Sequence, residues 1–284
     1  MKRIKIRKWV KIFFFLVIII TCFYLYGRYV ETKLFEVKEY SIIDSNIPSN
    51  FYGFKIVQIS DIHYKVMTNK KELKKIVKEI NLLKPDIVIL SGDLFDKNIE
   101  YTDEDFDDLK EILKDIDYNI YKYAIKGDND LSIEQWEDII RDSEFTDLND
   151  KYELIYNNGL DPILLIGISS NYKKNHIKDT TDSLYEEINT EYKYSMLVLH
   201  EPDFINYIDY SKFNLIFAGH SLNGQIKLPY IGGIIKNKYS KIYYDEYYDL
   251  GNTKLYISSG IGTSKFKYRL FNKPSINMFR LRNK

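Results

Sequence analysis

Residues 56–63 read IVQISDIH, an apolar run rich in β-branched residues that ends in the pair Asp61 and His63. This pattern predicts a buried strand whose carboxyl end presents a carboxylate and an imidazole. In open α/β sheets, ligands bind beyond that end of the strands. Carboxylate oxygen and imidazole nitrogen together suit a borderline divalent transition metal, so the stretch predicts one part of a metal site.

Size and composition restrict the class of protein. The chain has 284 residues, of which 45% are hydrophobic and 29% are charged. That length suits one large domain or two small ones after an N-terminal segment. The net charge is +0, so no overall field favours nucleic acid as a partner. The single cysteine, Cys22, excludes an internal disulfide framework and a cysteine-based zinc site.

The N-terminus predicts a membrane anchor. Cations at positions 2, 3, 5, 7, 8 and 11 precede an apolar run over residues 12–26. We expect a transmembrane helix over residues 9–27, with residues 1–8 in the cytoplasm and the remaining domain outside the cell membrane. A cleaved signal peptide or a lipidated Cys22 is the alternative. The bulky residues after the run and Thr21 before Cys22 favour the uncleaved single-pass anchor.

The rest of the chain alternates strand and helix patterns. Residues 28–50 form a polar connector with a predicted edge strand at 37–43, and residues 51–284 form one domain. Strands are predicted at 54–60, 87–91, 120–125, 163–169, 195–199 and 215–218, and helices at 70–83, 103–116, 133–141 and 183–188. Short strands follow at 226–228, 241–244, 255–258 and 276–281. Such alternation is typical of α/β layers.

Five strand-like runs end in metal-ligand or phosphate-binding residues. They end in Asp61 and His63, in Gly92-Asp93, in Gly127-Asp128-Asn129-Asp130, in His200-Glu201, and in Gly219-His220. Glycine beside the polar residue lets the backbone approach an ion or a phosphate closely. A single such dipeptide has little meaning, but five in this order strongly indicate one site.

This series resembles the calcineurin-like metallophosphoesterases, in particular their membrane-anchored bacterial branch. The family pattern is DxH, GD, GNH(D/E), a lone H and GHxH, and the resemblance covers residues 37–282. It implies a four-layer αββα sandwich of two mixed sheets. It also implies two divalent metal ions (Mn, Zn or Fe), bridged by one carboxylate, that hydrolyse a phosphate ester by means of a metal-bound hydroxide.

The resemblance assigns roles to five intact positions. Asp61 and His63 would bind the first metal, Asp93 would bridge both metals, and His200 and His220 would bind the second. The site nevertheless departs from the family pattern, so it is a variant active site.

Three departures lie within the site. Asp128 replaces the family's metal-binding Asn, Asn129 replaces its catalytic His, and Leu222 replaces the second His of GHxH. We therefore expect Asp128 to strengthen the second metal group and the loss at Leu222 to weaken the first, so that one metal is bound more tightly. Asn129 is predicted to contact the phosphoryl group. Asp130 matches the acidic residue of the family pattern, but the catalytic histidine that this residue would orient is absent.

Two functions remain open from the sequence, whereas a third, a nuclease-like phosphodiesterase, is disfavoured because the chain is neutral and has no basic-aromatic stripe. The first is a phosphoesterase outside the cytoplasmic membrane, acting on a lipid-linked or envelope-derived phosphate ester. The second is a catalytically weak or inactive surface protein that binds metal or phosphate and has kept the fold. Substrate, metal identity and oligomeric state are left open.

Overall fold

The computed structural model describes residues 7–170 and 174–284. The predicted cytoplasmic cations Lys2, Arg3 and Lys5 lie outside the described residues. Within the described ranges the helices are α1 (Lys8–Leu25), α2 (Lys70–Leu83), α3 (Asp103–Lys114), α4 (Trp136–Asp142) and α5 (Lys174–Glu187). The strands are β1 (Glu36–Ile43), β2 (Lys55–Ile59), β3 (Ile87–Ser91), β4 (Tyr121–Ile125), β5 (Thr146–Asp147), β6 (Lys151–Ile155), β7 (Ile163–Gly167), β8 (Tyr194–Val198), β9 (Leu215–Ala218), β10 (Lys227–Leu228), β11 (Gly232–Gly233), β12 (Tyr247–Leu250), β13 (Thr253–Ile257) and β14 (Ser275–Arg282).

The strands form two six-stranded mixed sheets. The first has the order β1-β14-β2-β3-β4-β5, and the second has the order β12-β13-β9-β8-β7-β6. β2 to β5 are parallel to one another, as are β7, β8, β9 and β13. Crossover helices join most of these parallel strands, which brings their carboxyl ends to one edge of each sheet.

The two sheets pack face to face with helices outside them. Side chains alternate along β2, so Ile56 points to the core between the sheets and Val57 to the core beneath α2, α3 and α4. On the second sheet, Leu197 packs towards α5 and Met196 towards the first sheet. These four layers confirm the predicted αββα sandwich.

Several helices and strands have bounds that differ from those predicted from the sequence. The helix predicted at 183–188 begins nine residues earlier, at Lys174, and buries Ile177, Thr181 and Leu184 at helical spacing. The helix predicted at 133–141 begins at Trp136. β5 and β6 had not been expected, whereas the strand predicted in the connector is present as β1 at the edge of the first sheet.

The strand predicted at 241–244 is wrong. The carboxylate of Asp203 accepts hydrogen bonds from the backbone N–H groups of Lys241, Ile242 and Tyr243 at 2.7, 3.0 and 2.9 Å. Because these donors are satisfied by one side chain, they do not join a ladder, and the neighbouring strand begins at Tyr247.

The N-terminal helix is exposed along almost all of its length. With a following π-helical turn and a 3₁₀ turn it covers Lys8–Lys33, and an 18-residue stretch within it has a mean hydropathy of 2.2. It is long and apolar enough to cross a membrane, as judged by length and composition. No residue of α1 itself is buried, so its apolar side chains lack the covering that a core helix has.

Candidate metal centre

All six predicted metal ligands meet at the carboxyl ends of the central strands. They form two groups, whose ligand atoms lie within 4.8 Å of one another: Asp61, His63 and Asp93; and Asp93, Asp128, His200 and His220. Asp93 belongs to both groups. The structure therefore places the side chains as the family resemblance implied, with one carboxylate shared.

The distances show how tightly the donors face one another. The Nε2 atom of His200 lies 3.2 Å from Asp93 Oδ2 and 3.9 Å from Asp61 Oδ1. The Nε2 atom of His63 lies 3.6 Å from the same Asp93 oxygen. On the far side, His220 Nδ1 lies 3.2 Å from Asp128 Oδ1. Asp93 is thus the centre of the arrangement.

Two histidines are oriented by backbone carbonyls. His200 Nδ1 lies 2.7 Å from the carbonyl oxygen of Ser91, and His220 Nε2 lies 2.7 Å from that of Lys238. A carbonyl only accepts, so each of these ring nitrogens donates its hydrogen. The opposite nitrogen of each ring faces the carboxylates, which is the arrangement of metal-binding histidines.

The electrostatics of the group fit divalent cations. Burial would lower the pKa of His200, but the Asp93 carboxylate raises that pKa well above its usual value. His200 Nε2 makes no hydrogen bond within residues 7–170 and 174–284. Buried carboxylates thus demand positive charge at this nitrogen, which a proton or a metal ion can supply. The mixed oxygen and nitrogen donors suit a divalent transition metal.

The backbone at the site is strained at four of the predicted ligands, and a glycine allows one close approach. Asp61, His63, Asp93 and His220 have positive φ angles of 52°, 44°, 56° and 64°, which non-glycine residues rarely adopt. Such strain is typical of sites where side chains are held in a fixed array. A Cβ on Gly127 would overlap the Asp93 carboxylate, so only glycine permits this close approach.

Asn129 and Asp130 hold the neighbouring loops. Asn129 donates from its side-chain nitrogen to Asp93 Oδ2 over 2.7 Å and from its backbone nitrogen to Asp93 Oδ1 over 2.9 Å. Asp130 is buried and accepts from the backbone nitrogens of Asp93, Phe95 and Gly127 at 2.9, 2.9 and 2.8 Å. Burial and the nearby Asp93 carboxylate raise the pKa of Asp130 to about 7.

Leu222 fills the place of the missing histidine. It is buried, and a Cβ on Gly260 would collide with its Cδ2 atom and lie 2.9 Å from the Cβ of Asp61. Leu222 therefore packs in the same small space as Asp61 and Gly260. The first group consequently has three donor residues and the second has four.

Two polar residues of the site were missed by the sequence reasoning. Lys97 Nζ lies 2.9 Å from Asp128 Oδ2, and Asp96 Oδ2 lies 3.7 Å from His63 Nδ1. Burial would raise the pKa of Asp128, but bonding to His220 and Lys97 holds it well below its usual range. Both residues follow Asp93 by three or four positions, and that proximity was the available signal.

The site opens into a cavity of about 650 Å³. Asp61, His63, Asp93, Asp128 and His220 line its floor, and Lys97, Asn129, Lys238 and Lys265 lie around them. An anionic ester would meet cations at the rim and carboxylates below. Metal ions on those carboxylates would reverse the local charge.

Comparison with known proteins agrees with this geometry. Residues 54–224 match the calcineurin-like phosphoesterase family. The chain is 31% identical over 274 residues to the uncharacterized metallophosphoesterase YkuE of Bacillus subtilis (strain 168), covering 92% of this chain and 90% of that protein. It therefore belongs to the calcineurin-like phosphoesterase family and is a metal-dependent phosphoric ester hydrolase.

Two further relatives align over most of the chain. Identity is 27% to the uncharacterized metallophosphoesterase Cj0846 of Campylobacter jejuni, over 94% of this chain and 69% of that protein. Identity is 23% to the UDP-2,3-diacylglucosamine pyrophosphatase LpxG of Chlamydia muridarum, over 90% of this chain and 92% of that protein.

Proposed function

We propose that this protein hydrolyses a phosphate ester of a lipid-linked or envelope-derived molecule at the outer face of the cell membrane. The observation that carries the reaction type is the pair of ligand groups that share Asp93. The membrane-length helix and the relative LpxG, whose name describes a diacylated pyrophosphate substrate, support the choice of substrate.

The metal content follows from the donor sets. We assign a first divalent cation to Asp61, His63 and Asp93, and a second to Asp93, Asp128, His200 and His220. When bound, such ions act as Lewis acids on phosphoryl oxygens and lower the pKa of coordinated water. The second group has four donor residues and the first has three, and Asp128 supplies a carboxylate where the family has an asparagine, so the second ion should bind more tightly.

The remaining roles, which are charge balance, contact with the substrate and positioning, fall to side chains around the metal site. Asp93 stays ionised: burial would raise its pKa, but the His200 imidazole lowers it. Lys97 offsets the charge of Asp128 and lies where an ester oxygen would enter. Asn129 lines the cavity, and its side-chain nitrogen, which donates to Asp93, would also donate to the phosphoryl group. Asp130 acts through the loops as a positioning residue.

The same assignment limits the range of substrates. An asparagine amide cannot transfer a proton at neutral pH, so Asn129 gives the leaving oxygen no general acid. A positioned acid contributes about 10²- to 10⁴-fold. Esters with good leaving groups should therefore be hydrolysed faster than alkyl esters by this protein.

The testing experiment uses the full-length protein in detergent. Metal is removed, Mn²⁺, Zn²⁺ and Fe²⁺ are titrated back, and hydrolysis of an aryl phosphate monoester and diester is followed. Asp93→Ala should abolish turnover and metal binding at both groups. Asp138→Ala, which removes an exposed carboxylate on α4, serves as the matched control.

A second candidate function rests on the replacement of two family histidines by Asn129 and Leu222. In it, the protein keeps the metal centre and serves as a metal- or phosphate-binding surface protein with weak or no turnover. Stoichiometric metal binding without hydrolysis of either aryl ester would favour this function over the first.

The proposed location follows from the N-terminal segment. We assign residues 1–8 to the cytoplasm, residues 9–27 to the membrane, and residues 28–50 to a connector. The domain of residues 51–284 then lies outside the cytoplasmic membrane, with no nucleic acid among its partners. Protease added to intact cells should digest the domain, and a domain that stays protected would contradict this orientation.

A further inference from the structure

A second, open groove adjoins the catalytic cavity. It has a volume of about 590 Å³, and it shares Val66, Met67 and Lys265 with the wall of the cavity. We call it the anchor groove and define it by Tyr24, Arg28, Val66, Met67, Lys265 and Phe266. Because three residues line both spaces, the groove and the catalytic cavity are direct neighbours.

The far side of the anchor groove is formed by the N-terminal helix. The ring of Tyr24 stacks on Tyr268 with the centroids 6.0 Å apart. The Gly27 carbonyl accepts from the Arg269 backbone nitrogen over 3.1 Å, and the Glu31 carboxylate accepts from the Asn272 nitrogen over 2.7 Å. The end of the helix is thereby fixed on the segment of residues 266–272.

Gly27 makes this close packing possible. A Cβ at that position would lie 2.5 Å from the Arg269 carbonyl oxygen, which leaves no room for a larger residue. The fully buried Arg269 extends the contact inward, because its guanidinium donates to the carbonyl of Gly260 over 3.0 Å, beside Asp61. The helix end and the metal centre therefore belong to one packed unit.

An exposed apolar surface lies beside the anchor groove. In the β10–β11 hairpin, Tyr230 is fully exposed and Ile231 is 71% exposed. The hairpin is joined to the segment of residues 266–272 by a hydrogen bond from the Lys227 nitrogen to the Leu270 carbonyl over 2.8 Å. Phe266 and Phe271 on that segment are about half exposed.

Clustered apolar side chains beside a membrane-length helix indicate contact with a bilayer. Aromatic rings and cations such as Arg28 and Lys265 are typical of the interface between lipid and water. The cations also match the charge of a phosphate head group, while Val66, Met67 and Phe266 provide an apolar wall. The groove thus has one end suited to lipid and one end that meets the catalytic cavity.

We propose that the anchor groove binds the hydrocarbon chain of a substrate that resides in the bilayer, while its phosphate ester lies in the catalytic cavity. This inference rests on the proposed function and adds the position and chemistry of the tail. It makes the enzyme selective for amphiphilic esters with a long apolar chain over small water-soluble esters.

The test compares two esters that differ only in chain length. Full-length protein in lipid nanodiscs, loaded with Mn²⁺, is assayed with ethyl and octyl 4-nitrophenyl phosphate below the critical micelle concentration. We expect kcat/KM to be at least tenfold higher for the octyl ester. Phe266→Asp should reduce that ratio towards one, whereas Leu160→Asp, at an exposed leucine of the β6–β7 loop, should leave it unchanged.

Two outcomes overturn the proposal: equal kcat/KM for both esters in the wild type, or a full chain-length preference in Phe266→Asp. Calorimetric binding of octylphosphonate and ethylphosphonate to the metal-loaded protein gives a second measurement that needs no turnover. Hydrolysis of neither ester would count against the proposed function. In that case tighter binding of octylphosphonate still supports the groove, and equal binding of the two phosphonates overturns it.

Discussion

The side-chain nitrogen of Asn129 lies 2.7 Å from Asp93 Oδ2, and the Asn129 backbone nitrogen lies 2.9 Å from Asp93 Oδ1. One residue thus holds both oxygens of the carboxylate that the two ligand groups share. The side chain that replaces the family's catalytic histidine is therefore built into the support of Asp93. Substituting it changes the position of the shared carboxylate as well as the supply of protons.

Restoring a histidine at position 129 should widen the range of leaving groups. In Asn129→His, an imidazole can protonate the leaving oxygen, and such an acid contributes about 10²- to 10⁴-fold. We expect turnover of an alkyl phosphate to rise relative to that of an aryl phosphate, as measured by phosphate release. Asn129→Gln, which keeps the amide, is the control. An alkyl-to-aryl ratio that stays constant in Asn129→His would contradict this role.

Restoring a histidine at position 222 should strengthen the first metal group. Leu222 is buried beside Asp61, so Leu222→His places a nitrogen donor next to the group that has three ligand residues. We expect the weaker metal site to gain at least about tenfold in affinity, or about 1.4 kcal/mol. Metal titration of the stripped protein measures this. Leu222→Met keeps an apolar side chain at the position, and equal affinities in the two variants would show that position 222 does not face the metal.

Removing the carboxylate of Asp130 should loosen the loops that carry Asp93 and Asp128. Asp130→Ala leaves three buried N–H groups without their acceptor. Each unsatisfied buried donor costs about 1–3 kcal/mol, so we expect a loss of about 3 kcal/mol or more in the free energy of unfolding. Urea denaturation measures it. Asp130→Asn, which keeps one acceptor oxygen, should lose less; an unchanged midpoint in Asp130→Ala would refute this account.

Lys122 should make the free energy of unfolding depend on pH in the alkaline range. Its ammonium is buried, donates to the carbonyl of Leu113 over 3.2 Å, and has its pKa lowered by burial to about 8. The pKa of the same group in the unfolded chain is 10.5. Between the two pKa values the folded protein has lost a proton that the unfolded chain still holds. The unfolded state then binds more protons, so the contribution of this group to stability rises with pH.

The comparison with Lys122→Met isolates that contribution. From pH 7 to pH 9.5 the wild type should gain about 2 kcal/mol in unfolding free energy relative to the variant. Urea denaturation at the two pH values measures the difference between the proteins. A difference that is constant or falls with pH would show that Lys122 stays protonated in the fold.

The sequence alone predicted the layers of this protein and the side chains that meet at the candidate metal centre. Apolar strand runs that end in Asp61 and His63, Asp93, Asp128, His200 and His220 could be read locally, and parallel strands bring such ends to one edge. For that reason pattern and family resemblance predicted the αββα sandwich and the six side chains that the fold brings together. Local patterning failed at residues 241–244, where the side chain of Asp203, about forty residues earlier, captures the backbone donors.

Only the tertiary structure decided which side chains meet. The bond of Asn129 to Asp93 joins residues 36 positions apart, the bond of the His220 nitrogen to Asp61 joins residues 159 apart, and the bond of the Asn272 nitrogen to Glu31 joins residues 241 apart. None of these pairs leaves a periodic signal in the chain. Periodicity reports which face of one element is buried, whereas a contact between elements depends on how whole sheets, loops and helix ends pack together.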